Sequence, residues 1–131
     1  MGGFNASFKD YGRFGMLLAN DGMRDGVEII PNGFVRDATD VSRQPAGFKP
    51  RVSTSYFGYG YQFWLQPNKT RTFALQGIHG QSMLIQPANQ IVTVQTSVNS
   101  KPSGKQDARP YQLRNAFWTG VLKSLGGEVG E

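Results

Sequence analysis

Apolar positions along this chain change their period twice. From Ser7 to Asn20 they recur at helical spacing: Tyr11, Phe14, Leu17 and Leu18 form one stripe, which predicts an amphipathic helix. Ser7 is placed to cap it, with Asp10 as a shorter form of the capping-box acid, and Asp21-Gly22 stops it. Gly12 and Gly15 inside this helix each cost about 1 kcal/mol relative to alanine, so they predict close packing by another element. Val27-Glu28-Ile29-Ile30 is a short extended piece. Pro31 suits the first turn of a second, short helix to about Thr39, with Phe34, Val35 and Ala38 on its buried side. Asp40 to Ser55 is broken by Pro45, Gly47 and Pro50, has no period, and predicts a long surface loop.

From Tyr56 the period becomes two. Tyr59, Tyr61, Phe63 and Leu65 fall on one side of an extended strand, and Gly60, Gln62, Trp64 and Gln66 on the other. Pro67-Asn68-Lys69 turns the chain, Thr72 to Gly77 and Ser82 to Gln86 form the next strands, and Pro87-Ala88-Asn89-Gln90 is a tight hairpin turn. Ile91 to Val98 is β-branched and nearly continuous, which predicts a strand with both faces partly covered and away from an open edge. Asn99 to Arg109 is a polar loop. After Pro110 the helical period returns, with Leu113, Phe117, Val121 and Leu125 as the stripe, Ala116 and Gly120 beside it, and Gly126-Gly127 as the stop. The order predicts an α/β (α+β) fold, an antiparallel sheet of about four strands with an N-terminal helix and a C-terminal helix packed on it. It forms a single segment, 1–131, without internal repeats.

Composition narrows the function classes. The chain has 131 residues, enough for one core, and no cysteine, which removes disulfides, thiolate metal sites and cysteine catalysis. The net charge is +5, but the basic residues are scattered singly and do not interleave with the rings of Tyr56, Phe57, Tyr59, Tyr61, Phe63 and Trp64. Those rings are therefore read as core and pocket wall, with no nucleic-acid partner. No apolar run is long enough to span a bilayer, and no membrane partner is expected. Met1-Gly2-Gly3-Phe4-Asn5 lacks the basic start and apolar segment of a secretory signal, and Gly2-Gly3-Phe4-Asn5 reads as the interior of a longer protein. One histidine among scattered acids makes no metal site. Asn5-Ala6-Ser7 and Asn68-Lys69-Thr70 match the glycosylation pattern.

The candidate chemistry sits in Gly77-Ile78-His79-Gly80-Gln81, where glycines flank the only histidine between two strands. Glycine there permits positive φ and close approach of a ligand to the backbone. A strand that ends in such a bend can offer a free N–H to a developing oxyanion.

This bend completes an ordered set: Gly2-Gly3-Phe4-Asn5-Ala6-Ser7 before a helix, Gly58-Tyr59-Gly60-Tyr61-Gln62-Phe63-Trp64, the bend, an Ile-Gln-Pro hairpin and a valine-rich strand. The set resembles the C-terminal part of the serine β-lactamase-related hydrolases, in the class C-like branch with 6-aminohexanoate-dimer hydrolase and related esterases. The resemblance runs from about Gly2 to Leu125 and implies part of a β-lactamase/transpeptidase-like domain acting on small amides or esters without a cofactor. In that family a Ser-x-x-Lys helix supplies the nucleophile, a Tyr-x-Asn element a second base, and a Lys-Thr-Gly strand the substrate edge. Aligning Leu75-Gln76-Gly77 with the third implies Ile78 as the oxyanion-hole N–H donor and Gly77 as the point of close substrate approach, with Gln76, His79, Gly80 and Gln81 binding substrate. A rival register places His79-Gly80 on a His-Thr-Gly variant and makes Gln81 the donor. Leu75 stands where the family has lysine, which argues against a β-lactam carboxylate as ligand.

The other two elements are missing. No lysine has a serine three residues before it, and no tyrosine has an asparagine two residues after it. Ser97-Val98-Asn99 imitates a Ser-x-Asn motif but follows the strand motif, against the family order. A triad of His79 with Ser82 or Ser53 and an aspartate is not selected by any spacing. The expectation is the substrate-side portion of a serine hydrolase, inactive alone, whose partner is an N-terminal segment of the same domain or a second copy. The alternative is a non-catalytic β-rich binding module that folds independently.

Overall fold

The computed structural model describes residues 4–31 and 33–130. The glycine pair Gly2-Gly3, part of the ordered set above, lies outside the described residues.

Helix α1 (Phe8–Ala19) begins where the capping residue requires: Ser7 Oγ accepts the Asp10 N–H at 3.2 Å, and the Ser7 hydroxyl donates to the Asp10 carboxylate at 2.6 Å. Asp25 and Gly26, both left-handed, close a two-residue ribbon of β1 (Met23–Arg24) and β2 (Val27–Glu28). Helix α2 is shorter than expected, Phe34–Thr39, behind a left-handed Gly33. Asp21, just past α1, is held by Arg36 at 2.9 Å and Arg71 at 2.6 Å, and Arg71 also donates to Thr39 Oγ1 at 3.2 Å. This clamp joins the end of α1, α2 and the approach to the central sheet.

The central sheet is an antiparallel meander of five strands in chain order: β3 (Gly58–Gly60), β4 (Phe63–Leu65), β5 (Phe73–Gln76), β6 (Ser82–Gln86) and β7 (Ile91–Gln95). The mixed architecture, with an N-terminal and a C-terminal helix on an antiparallel sheet, is the one expected, and the helices take opposite faces. On one face Leu18 and Ala19 of α1 and Val35 and Ala38 of α2 pack on Phe63, Leu65, Phe73, Met83 and Ile85. On the other, Trp118 and Leu122 of α3 (Arg109–Ser124) pack on Ala74, Leu84 and Ile91.

Three expectations are corrected. The single strand from Tyr56 to Leu65 is a hairpin, because Tyr61 (φ 52°) and Gln62 (φ 71°) both turn left-handed and reverse the chain. Tyr59 therefore pairs with Trp64 on the α3 face, away from Phe63 and Leu65. Strand β7 lies at the sheet edge rather than inside, pairing only with β6 among the described residues. Its valines look interior because α1 lies directly on them: a Cβ on Gly15 would stand 2.5 Å from Val92 Cγ1. In α3 the buried positions are Arg114, Trp118 and Leu122, one residue on from the expected stripe, while Leu113, Phe117 and Leu125 are more than half exposed. Trp118 outweighs two smaller side chains as an anchor, and it turns the helix by about 100°.

Candidate functional site

Strand β5 ends at Gln76, which pairs with Ser82 across β6, and the chain between them forms the bend. Gly77 is extended (φ −109°, ψ 169°) and its N–H donates to Gln81 O at 2.9 Å. It does not use the positive φ that the sequence suggested; a side chain there would crowd Gln81 Cβ at 3.2 Å. Ile78 to Gly80 make one 3-10 turn, with His79 (φ 58°) and Gly80 (φ 93°) left-handed. Gly80 is buried, and a Cβ on it would collide with the Asn99 amide and stand 2.9 Å from Ser97 Oγ. Its glycine answers to the chain's own loop.

That loop fixes the bend. The His79 N–H donates to Pro102 O at 3.2 Å, and the Asn99 N–H donates to His79 O at 3.0 Å. His79 Nδ1 lies 2.8 Å from Asn99 O. A carbonyl only accepts, so Nδ1 carries the proton and a neutral ring keeps its lone pair on Nε2. The Gln81 amide spans the Ser97 backbone, donating to its carbonyl and accepting its N–H at 3.1 Å, so a side chain continues the ladder where β7 has ended. Ser97 Oγ in turn donates to Asn99 Oδ1 at 2.7 Å. The Ser97-Val98-Asn99 match that looked accidental in the sequence is thus the platform under the bend.

Ile78 stands apart from this net. It is 68% exposed, and among the described residues its N–H has no hydrogen-bond partner. Gln76 faces the opposite helix: its Oε1 accepts from Arg114 Nη1 at 2.7 Å. Arg114, not singled out in the sequence, is 5% exposed, has no carboxylate partner among the described residues, and lies 4.5 Å over the Trp118 ring. Burial pushes its pKa down. The signal for it was the i, i+4, i+8 series Arg114, Trp118, Leu122. The β3–β4 tip lies at the same end of the meander as the bend, and there Tyr61 stacks edge-on with Phe34 and Phe48 at 6.4 Å, all three substantially exposed.

Chemically, the bend offers backbone N–H groups, of Ile78, Gly80 and Gln81, that make no hydrogen bond among the described residues, beside a histidine fixed in one tautomer. No triad is assembled: among the described residues His79 hydrogen-bonds to no serine or aspartate, and Ser82 Oγ is buried without a partner. No group of metal-ligating side chains occurs among the described residues.

No protein-family model matches the chain, and no curated protein matches it. Among solved structures, "Putative 6-aminohexanoate-dimer hydrolase from Bacillus anthracis" is similar at a TM-score of 0.69 and 28% identity, over 93% of this chain and 30% of that chain. The chain thus spans 30% of the length of that structure. The likeness supports a β-lactamase-like, hydrolase-like fold for these residues.

Proposed function

We propose that this chain is the substrate-side portion of a serine hydrolase that cleaves small amides or esters through an acyl-enzyme and is inactive alone. The observation that carries this reading is Ile78, 68% exposed at a strand end, whose N–H makes no hydrogen bond among the described residues while the N–H groups of Gly77 and His79 on either side are bonded. A donor held this way stabilises a tetrahedral oxyanion without reorganising at the moment of reaction. In this reading Gly77 allows substrate to approach, and Gln76, His79, Gly80 and Gln81 set the wall behind it. The Gln81 side chain is committed to the Ser97 backbone, but the Gln81 N–H, like that of Ile78, makes no hydrogen bond among the described residues, so Gln81 stays the rival donor. The hydroxyl nucleophile and its lysine come from an N-terminal segment of the same domain or from a partner copy.

The same commitment of His79 and Gln81 to their own loop favours the second reading, a binding module without chemistry. Kinetics separate the two. The chain alone is expected to give no burst with nitrocefin or p-nitrophenyl esters, and a serine-dependent burst from it would overturn the claim that the nucleophile lies elsewhere. In a polypeptide that also supplies a Ser-x-x-Lys helix, Ile78→Pro deletes the N–H and is expected to lower kcat by about 100- to 1,000-fold. An unchanged kcat there favours the binding module.

A further inference from the structure

The two edges of the central sheet are finished differently. Strand β3 has three residues, two of them glycine, and a loop closes over it: a Cβ on Gly58 would stand 2.5 Å from Phe48 O and 2.8 Å from Pro50 N. Strand β7 carries none of the devices that protect an edge. From Thr72 to Ser100 the sequence holds no Asp, Glu, Lys or Arg, and Ile91 to Val98 contains no proline. Its pairing with β6 runs from Ile91 to Gln95 without a bulge. Backbone groups along such a strand alternate between the paired side and the open side. The Ser97 N–H turns inward to Gln81 Oε1 at 3.1 Å, and the Asn99 N–H turns inward to His79 O at 3.0 Å. The N–H and C=O groups of Val92, Val94, Thr96 and Val98 therefore point outward. Those of Thr96 and Val98 make no hydrogen bond among the described residues.

An apolar strip flanks this open ladder. Asn115 and Thr119 of α3 line one space with Tyr56, Phe57 and Gln66, so that flank of the helix faces the β3–β4 side. At about 100° per residue, Phe117 stands about 160° round the helix from both. Leu113 lies close to it, and the two, each more than half exposed, occupy the flank toward β7. On the other face α1 covers Val92, while Val98 projects beyond it, 96% exposed. A strand added here must be extended, uncharged and apolar on the α1 side. Strand β7 itself meets that description. Antiparallel pairing of two copies about Gln95 sets Val92 against Val98 and Val94 against Thr96. All four outward-pointing residues then gain ladder partners, and no two charges meet. Each exposed Val98 comes beside Val92 of the other copy, at the flank of its α1. The two-fold axis stands perpendicular to the sheet, so both α3 helices lie on one face with their Leu113 and Phe117 flanks turned toward each other.

We propose that the β7 edge is a dimerisation surface, on which a second copy of this chain adds its own β7 antiparallel through Val92, Val94, Thr96 and Val98 to make one continuous sheet. The dimer is independent of the hydrolase reading and would stand if that reading failed.

Sedimentation velocity and nuclear magnetic resonance of the chain test it. The parent is expected to dimerise, and a mixture of isotope-labelled and unlabelled chain is expected to show contacts between the Val92 methyls of one copy and the Val98 methyls of the other. Thr96→Pro removes one outward N–H per copy and leaves the inward bonds of Ser97 and Asn99 in place. It is expected to weaken dimerisation at least about tenfold, since the two-fold makes the loss count twice. Thr96→Val keeps the N–H and is expected to leave the dimer intact. The proposal is overturned by a parent that stays monomeric, whether the edge is then bare or taken by the strand of another polypeptide. It is overturned equally by the absence of a Val92–Val98 contact between copies. A folded Thr96→Pro variant that dimerises as the parent does would place the association on the helix strip alone and overturn it too. Should that variant fail to fold, the Val92–Val98 contact in the parent decides.

Discussion

Gly12 and Gly15 look alike in the sequence, two helix-interior glycines one turn apart, and the structure separates them. A Cβ on Gly15 would stand 2.5 Å from Val92 Cγ1 and 2.9 Å from Met83 Sδ, so the bare backbone is what lets α1 settle on β6 and β7. Around Gly12 such a Cβ would meet nothing within 4 Å. Gly15→Ala is therefore expected to destabilise by about 1–3 kcal/mol, as overpacking does, despite alanine's better helix propensity. Gly12→Ala is expected to stabilise by about 0.5–1 kcal/mol through propensity alone. Paired urea titrations read both, and equal effects of like sign would contradict the packing assigned here. The same contrast holds in the bend, where Gly80 is fixed by Asn99 and Ser97 while Gly77 is extended.

How far elements were legible follows from what each signal measures. Ser7 and Asp10 fix the start of α1 through bonds only three residues long, and strand β6 falls on Ser82–Gln86 as its pattern predicts. Signals that depend on distant neighbours misled. The valines of β7 report a covered face, supplied by α1, and say nothing about lateral pairing. The β3–β4 turn was invisible because Tyr61 and Gln62 are not the residues that left-handed turns favour. The bend was legible as a candidate from its glycines and histidine, but its support from Ser97 and Asn99 needs the three-dimensional fold. In α3 the apolar count chose the wrong stripe, and this has a measurable consequence. Leu122→Ala is expected to cost about 2–5 kcal/mol. Leu113→Lys and Phe117→Lys are expected to change stability by no more than about 0.5 kcal/mol, because both side chains are more than half exposed. Exposed together with Leu125, they form an apolar strip suited to a covering partner. Sedimentation velocity is expected to show concentration-dependent association of the parent chain and a monomer for the double lysine variant. A parent that stays monomeric at all concentrations would oppose the need for a partner and favour the independent module.

Across the whole molecule, closure depends on the tail that follows α3. The buried Gln86 amide donates to Glu128 O and accepts the Glu128 N–H, both at 2.9 Å, so the tail is stitched to the end of β6. The Glu128 carboxylate accepts the Lys69 N–H at 2.9 Å and the Thr70 N–H at 2.7 Å, tying it also to the β4–β5 turn. The Thr70 and Lys69 bonds lower the Glu128 pKa. Asp10 is lowered by Ser7 first and Arg13 second, and Asp40 is lowered chiefly by the Ser42 hydroxyl. A carboxyl with a lower pKa in the fold leaves the open chain better protonated between the two values. Stability from such a group is full above the ordinary carboxylate range and is lost as the pH falls through the folded value. All three act at junctions: the α1 cap, the turn after α2, and the tail. Melting temperature is therefore expected to hold near neutrality and fall on acidification through the carboxylate range, with added cationic self-repulsion on a chain already at +5. Glu128→Gln separates the tail from that background. The variant is expected to melt below the parent at pH 7 and to converge with it in acid, where the parent's own carboxyl is protonated. Curves that run parallel from pH 7 into acid would show that the tail does not depend on the ionised carboxylate.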